Sequence, residues 1–336
     1  MTQKDYPLKK HNTFGIDVEA NTFITFNSEK QAQDYLRSKI PAKENFLILG
    51  GGSNILFTGN YHGIVLHPGF DEITVVKADS KQVCVYAEAG LAWDDLVEWA
   101  VENNMGGLEN LSGIPGNVGA APIQNIGAYG AEVSDVINRV FALSTDDGSK
   151  RVFSKQECNF GYRNSIFKSE LKNQYMITAV EFMLNNSPDN FNLTYGNLEQ
   201  EVLKYGVPSL KSVRKAVTTI RADKLPDPAY KGNAGSFFKN PVISKDRFVD
   251  IKNRYNDIPS WKLDDDSYKI PAAWLIEKAG WKGRKYGRTA VHSRQALVLV
   301  NDNNANGSEI LELSNLIIDD VKNKTGIILN REVNVV

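Results

Sequence analysis

The sequence predicts an α+β protein of two or three domains, on three observations. Short apolar strands alternate with capped helices. One strand, residues 46–49, runs directly into the glycine string GGGSN (50–54). The double-proline crossing KLPDP (224–228) separates a β-rich stretch from a differently composed C-terminal third. At 336 residues the chain is long enough for each domain to bury its own core.

The elements follow in order. Ser28 and Gln31 form an S-x-x-Q capping box that opens a helix carrying Ala32, Tyr35 and Leu36, with Pro41 as its stop. Residues 63–66 and 83–88 are strands, and 94–100 a helix carrying Leu96, Val97 and Trp99. Residues 106–130 are rich in glycine, and Pro115 and Pro122 exclude one continuous helix there. So much glycine suits backbone laid against a large flat ligand or against another backbone. Strands at 136–144, 151–154 and 175–184 build a β-rich unit. Beyond the boundary, Pro271 opens a helix over 272–279 that Gly280 ends, and residues 296–300 form a buried strand. Asn306 and Glu309 then cap a helix with Ile310, Leu313, Ile317 and Val321 on one face, ending at Gly326. Residues 327–336 are a strand pair or one bent strand.

Composition excludes several classes. A net charge of −1 provides no global basic field for nucleic acid or an anionic membrane. The N-terminal residues lack an apolar leader, and no segment approaches about 18 uninterrupted apolar residues. A cytoplasmic protein is expected. Cys84 and Cys158 stand far apart in no CxxC pattern, and the four histidines lack ligand spacing, so neither a disulfide nor a metal site is expected. Cys84, in an alternating run, is expected to be a buried small hydrophobe.

Two stretches carry chemistry. In GGGSN, successive glycines let main-chain N–H groups converge on an anion, with Ser53 and Asn54 as further donors. Taken alone, such a string is more often a plain glycine turn. The string is no Rossmann fingerprint, because Ile55 stands where the third glycine would be, and no P-loop string occurs. In GNAGSFFKNP (232–241), two glycines leave room for the Ser236 hydroxyl to approach a ligand. A tight hairpin beside a packed strand is the plainer alternative.

The strings NTFG (12–15), GGGSNILF (50–57), SGIPGNVGAAPIQNIGAYG (112–130), YRNSIFK (162–168), LTYGNL (193–198), KLPDP (224–228) and GNAGSFFKNP (232–241) occur in this order. Together, and over nearly the whole chain, they resemble the UDP-N-acetylenolpyruvoylglucosamine reductases, flavoenzymes of bacterial peptidoglycan precursor synthesis. The resemblance implies an α+β, vanillyl-alcohol-oxidase-like FAD-binding fold of two subdomains plus a separate substrate-binding domain. The corresponding division is 1–70, then 71–223 joined by the C-terminal strand 327–336, with 224–326 as the substrate domain. It implies non-covalent FAD, held by Gly50, Gly51, Gly52, Ser53, Asn54 and Ile55 and by Ser112, Gly113, Ile114, Pro115, Gly116, Val118, Gly119, Gln124, Asn125, Gly127 and Ala128. NADPH is the implied hydride donor. The substrate is a UDP-sugar bearing an enolpyruvyl ether, with Tyr195 of the LTYG loop over its diphosphate, and no obligatory protein partner is evident.

The resemblance assigns Ser236 as proton donor and Arg163 and Glu332 to the enolpyruvyl carboxylate. Physical chemistry gives such residues work to do. Hydride addition to the vinyl carbon drives negative charge toward C2 and its carboxylate, which an arginine fork stabilises. A proton must then reach C2, and a serine hydroxyl is small enough to deliver it beside a flavin. On residue type alone, Arg163 suits a surface ion pair and Glu332 a solvated strand position. Tyr129, Lys239, Asn240 and Gln295 are further candidates for substrate contacts, and Lys224 a better one. The basic run 282–288 suits either the UDP site or a solvated turn. Rival readings are an FAD-dependent alcohol or sugar oxidase of the same fold, and a binding module without catalysis. Such oxidases often tether FAD through His or Cys, and neither cysteine lies in the flavin loop.

Overall fold

The computed structural model describes residues 1–39 and 45–336. Pro41, the expected helix stop, lies outside them. The chain divides into two compact units. The first is Met1–Tyr6, Ala20–Gly51 and His62–Asp223; the second is Pro7–Glu19, Gly52–Tyr61 and Lys224–Val336.

The first unit carries two larger sheets, one built before residue 70 and one after it. The earlier is four-stranded, in the order Thr2–Pro7, Glu19–Phe26, Tyr61–Pro68, Phe46–Ile48. Helix Glu29–Lys39 begins at the expected box, with Ser28 Oγ accepting from the Gln31 amide at 3.3 Å. The return bond differs by one residue, because Gln31 Oε1 accepts from Asn27 N, at 3.0 Å. Ile24, Phe26, Leu36, Leu66 and Phe70 share this region's core.

The later sheet runs Lys150–Ser154, Ile137–Ser144, Tyr175–Asn186, Gln82–Glu88, Ile73–Ala78, with Met105–Gly106 added beside Tyr175–Asn186. Strand Tyr175–Asn186 is paired along both edges and buried over most of its length, which explains its nearly unbroken apolar sequence. Its one buried charge, Glu181, receives two bonds from Arg139, at 2.9 and 2.6 Å, and one from Asn138. Helix Trp93–Glu102 packs Trp93, Leu96 and Val97 into the same core. Trp93 Nε1 donates to Leu111 O at 2.9 Å, so the indole is satisfied.

Helix Leu210–Lys224 is the helix-like stretch expected before KLPDP, and Lys224 is its last residue. It buries Val213, Ala216, Val217 and Ile220, an amphipathic spacing, against Leu198 and Val202, while Leu210 joins the core of the later sheet.

In the second unit, Val242–Ser244, Ser267–Lys269 and Trp261–Lys262 form one small sheet, and Lys285–Tyr286, Thr289–Val291 and Leu299–Asn301 another. Pro271 is the N-cap of helix Ala272–Lys278. Helix Gly307–Thr325 has the expected reciprocal box between Asn306 and Glu309, and Gly326 ends it at φ +70°. The chain end behaves differently from expectation. Asn334–Val335 pairs parallel with Ile55–Leu56 instead of joining the sheet of residues 71–223. Bonds from Val336 N to Leu56 O, 2.9 Å, and from Thr58 N to Val336 O, 2.7 Å, extend that pairing. Among the described residues, no helix is long and apolar enough to cross a membrane, and no cluster of three or more His, Cys, Asp or Glu side chains is placed to hold a metal.

Candidate active site

In the first unit the glycine string meets the 112–130 loop directly. A Cβ on Gly51 would stand 2.7 Å from Asn117 Oδ1 and 3.1 Å from Gly116 Cα, and one on Gly119 would stand 2.6 Å from Ala89 Cβ. These glycines therefore serve backbone-to-backbone approach. The loop is tied down along its length: Trp93 N donates to Gly116 O at 2.9 Å, Val118 N to Leu91 O at 2.9 Å, and Gly119 N to Ala89 O at 3.0 Å. Asn117 Nδ2 also donates to Gly90 O.

Charge fixes the start of the loop. Asp94 accepts two bonds from Arg214, at 2.6 and 3.0 Å, and one from Gly113 N, while Arg221 Nε donates to Gly113 O at 3.0 Å. Burial pushes the Asp94 carboxyl up, but the Arg214 fork and the Gly113 amide outweigh it and leave the group below the ordinary aspartate value. None of Asp94, Arg214 and Arg221 was singled out from the sequence, because their partners are distant in the chain.

Several residues expected to touch FAD spend their side chains on scaffolding. Ser112 Oγ donates to Glu109 O at 2.6 Å, and Val118 is fully buried. Asn125 donates to Glu132 at 2.7 Å and to Gly161 O at 3.2 Å, and accepts from Ser134 N. These three offer a ligand only main chain. Ile114, Gly127 and Ala128 are partly buried and Pro115 is exposed, while Gln124 Oε1 accepts from Lys168 Nζ at 3.2 Å. A ribbon of main chain with few obstructing side chains, closed at one end by cations, fits a flavin dinucleotide with its pyrophosphate.

The loop ends in a two-residue hairpin. Gly127–Ala128 pairs with Ala131–Glu132, and Tyr129 and Gly130 take φ +48° and +80°, as a twist-compatible tight turn requires. The Tyr129 ring meets Tyr195 edge-on, centroids 5.9 Å apart, so two expected substrate contacts are neighbours. Burial raises the Tyr129 hydroxyl pKa. Arg163 also reaches this hairpin, its Nη2 donating to Gly127 O at 2.8 Å. Arg163 sits in a turn closed by mutual Gly161–Asn164 bonds of 3.1 Å, at φ +54°, a left-handed conformation uncommon for arginine.

In the second unit, Ser236–Lys239 runs as an extended segment between two neighbouring segments, joined to them by isolated bridges. Ser236 bridges Val298, and Phe237 N donates to Leu297 O at 2.8 Å. On the other side Glu332 N donates to Phe237 O at 2.8 Å, and Lys239 N to Asn330 O at 2.9 Å. Ser236 and Glu332 are thus brought onto adjacent extended segments. Asn54 of GGGSN helps hold the second of them, its Nδ2 donating to Glu332 O at 3.3 Å. Gly52 and Ile55 are buried and Ser53 is half-buried in this unit.

The remaining candidates fall as follows. Asn240 Oδ1 accepts from Ala272 N at 2.9 Å, and Gln295 Oε1 from Leu297 N at 3.3 Å, so both carry local structure. Lys239 is half-buried, and Lys224 is exposed at the end of helix Leu210–Lys224. In the basic run, Lys282 pairs with Glu277, Lys285 with Asp302 and Arg288 with Glu309, which favours the solvated reading over the UDP site. Cys84 and Cys158 are buried, and burial, with a smaller push from Glu157, raises the Cys158 thiol to about 12.

Comparison with known proteins agrees with this layout. Residues 20–152 match the model of the FAD binding domain, and residues 227–336 that of the UDP-N-acetylenolpyruvoylglucosamine reductase C-terminal domain. The reductase of this name from Flavobacterium johnsoniae is 43% identical over 336 residues, covering 99% of each chain. This chain belongs to the UDP-N-acetylenolpyruvoylglucosamine reductase family. That from Bacteroides fragilis is 42% identical over 334 residues, again covering 99% of each. The crystal structure of the reductase from Thermus caldophilus covers the whole chain at a TM-score of 0.67 and 22% identity, which establishes a shared fold. The chain is therefore an FAD-dependent oxidoreductase with the vanillyl-alcohol-oxidase-like fold and a separate C-terminal domain.

Proposed function

We propose that this chain reduces the enolpyruvyl ether of UDP-N-acetyl-3-O-(1-carboxyvinyl)-glucosamine to UDP-N-acetylmuramate, with Ser236, Arg163 and Glu332 as its catalytic residues. The full-length identity to reductases of this name carries the reaction. The residue roles are supported by the hydrogen-bonded neighbouring segments that hold Ser236 and Glu332, and by the strained turn that holds Arg163. FAD, when bound, would supply the hydride-carrying chemistry between NADPH and the vinyl carbon. Arg163 stabilises the negative charge that reaches the carboxylate. Ser236 delivers its hydroxyl proton to C2, completing the new C–H bond, and is reprotonated from solvent. Glu332 acts on the enolpyruvyl carboxylate side of the substrate.

The main chain of Gly50–Gly51 and of the 112–128 loop holds the cofactor in this reading, and Tyr129 and Tyr195 cover the substrate. The two larger sheets of the first unit are the two FAD subdomains, and Lys224 and Lys239 are secondary substrate contacts. NADPH and a UDP-sugar together suit a cytoplasmic reaction. The test is the visible spectrum of the purified protein, expected to be that of a flavin bleached by NADPH anaerobically. A colourless protein that takes up no added FAD overturns the proposal.

A further inference from the structure

A continuous hydrogen-bonded path joins the glycine string to the serine segment inside the second unit, and one residue of the NTFG segment is its midpoint. Thr13 N donates to Gly52 O at 3.1 Å, and Thr13 O accepts from Asn233 N at 3.0 Å. Asn233 Oδ1 then accepts from Gly235 N at 2.9 Å, immediately before Ser236. Both ends are close-packed against the same segment. A Cβ on Gly52 would stand 1.9 Å from His11 O, and one on Gly232 would stand 2.1 Å from Phe14 O. Phe14 also meets Phe237 edge-on, with centroids 6.1 Å apart.

Two buried amides lock the path. Asn12 Nδ2 donates to Leu8 O at 2.8 Å and to Ile16 O at 3.0 Å, and Asn12 Oδ1 accepts from Ile16 N at 2.9 Å. Asn233, only 2% exposed, donates Nδ2 to Pro226 O and to Lys231 O, both at 2.9 Å. Each amide is thus fully engaged with main chain, an arrangement that fixes position and contributes no chemistry of its own.

We infer that Asn233 is a positioning residue for Ser236, and that Asn12 and the main chain of Thr13 hold it in register with the glycine string. The inference rests on Ser236 being the proton donor. Gly235 takes φ +66°, so the direction of the Ser236 hydroxyl depends on a left-handed residue whose amide is held by Asn233.

The experiment compares Asn233→Ala, Asn233→Asp, Asn12→Ala and Ser236→Ala in the FAD-loaded enzyme. Asn233→Ala is expected to reduce with NADPH within about 2-fold of wild type and to slow reoxidation by substrate roughly 10- to 100-fold, since a misplaced catalytic group costs about that much. Amide exchange of residues 232–238 is expected to accelerate in the same variant. Asn233→Asp keeps the acceptor for Gly235 N but sets a carboxylate against two carbonyl oxygens. Its reoxidation is expected to fall as pH rises and to recover in acid, an ionisation that wild type lacks. Asn12→Ala is expected to accelerate exchange in the same peptide and to weaken FAD binding several-fold. Should Ser236→Ala reoxidise normally, the proton-donor reading fails. Should Ser236→Ala be slow while Asn233→Ala reoxidises at wild-type rate with unchanged exchange, the positioning role alone is overturned. If Asn233→Ala does not fold, a flat pH profile for Asn233→Asp overturns it.

Discussion

The 112–130 loop of the first unit and the 232–239 segment of the second are both glycine-punctuated and both carry candidate site residues, yet different forces hold them. The loop starts at an ion-pair clamp, Asp94 with Arg214 and Arg221 around Gly113. The serine segment is held by neutral groups: main-chain ladders to residues 297 and 332, and the amides of Asn12 and Asn233. Charge tolerates small displacements, because its energy falls off slowly with distance. Amide-to-carbonyl bonds weaken steeply with angle. A cofactor cradle can accept the first kind of restraint, whereas a proton donor aimed at one carbon needs the second.

The largest effect expected from this contrast is on the serine side. Ser236→Ala should leave reduction by NADPH nearly normal and slow reoxidation by substrate by about 10²–10⁴, the contribution of one positioned acid. Ser236→Cys should recover part of that loss. Stopped-flow absorbance of pre-reduced enzyme mixed with substrate separates the two half-reactions. A slowed NADPH step would remove Ser236 from its assigned role.

Next in size is Gly119→Ala. Its new Cβ meets Ala89 at 2.6 Å from Cβ and 3.2 Å from Cα, with main chain behind it, so the loop must shift. Overpacking of this kind costs about 1–3 kcal/mol. FAD release should become faster together with the loss of stability, and Ala89→Gly in the same chain should restore much of both. A Gly119→Ala protein as stable as wild type would show that the loop yields more easily than its ladder of bonds implies.

Asp94→Asn probes the clamp itself. Charge-assisted bonds contribute about 1.5–3 kcal/mol, and the lower end applies because the Asp94 side chain is 37% exposed and partly screened. The sign with pH is set by its lowered pKa. Its contribution is complete above the unfolded aspartate value of about 3.9 and is lost as pH falls through the lower folded value. Urea unfolding should therefore show a gap between wild type and Asp94→Asn at pH 7 that closes toward pH 3. A gap independent of pH would mean that the residue acts through shape.

How legible this was in the sequence follows the same division between local and distant bonding. The Asn306–Glu309 box, the Gly326 stop and the strand entering GGGSN were readable, because each is fixed by residues within a few positions. Strand Thr2–Pro7 was not, since it is almost entirely exposed and carries no apolar alternation. Strand Glu19–Phe26 and helix Lys245–Arg254 were also missed. Within the site, the motif strings marked the loops but not the use of Asn125, Asn240 and Gln295 as scaffold. An amide that bonds main chain and one that bonds a ligand look the same in sequence. Asp94 shows the limit most clearly, because its partner Arg214 lies far away along the chain.

The smallest effect concerns Arg163, where the two kinds of restraint meet. Its backbone is held left-handed at φ +54° by the Gly161–Asn164 turn, and its guanidinium bonds the hairpin carbonyl of Gly127. Such a conformation costs a non-glycine residue on the order of 1 kcal/mol, and glycine is free of that cost. Arg163→Ala and Arg163→Gly both remove the guanidinium, and both should abolish efficient reoxidation by substrate. They should differ in stability. Alanine keeps the strain while losing the bond to Gly127, whereas glycine loses both. Arg163→Gly is thus expected to be more stable than Arg163→Ala by about 1 kcal/mol, the reverse of the order in a helix interior. Equal melting temperatures for the two variants would mean that the turn stores no strain. The arginine would then be held there by its bond to Gly127 alone.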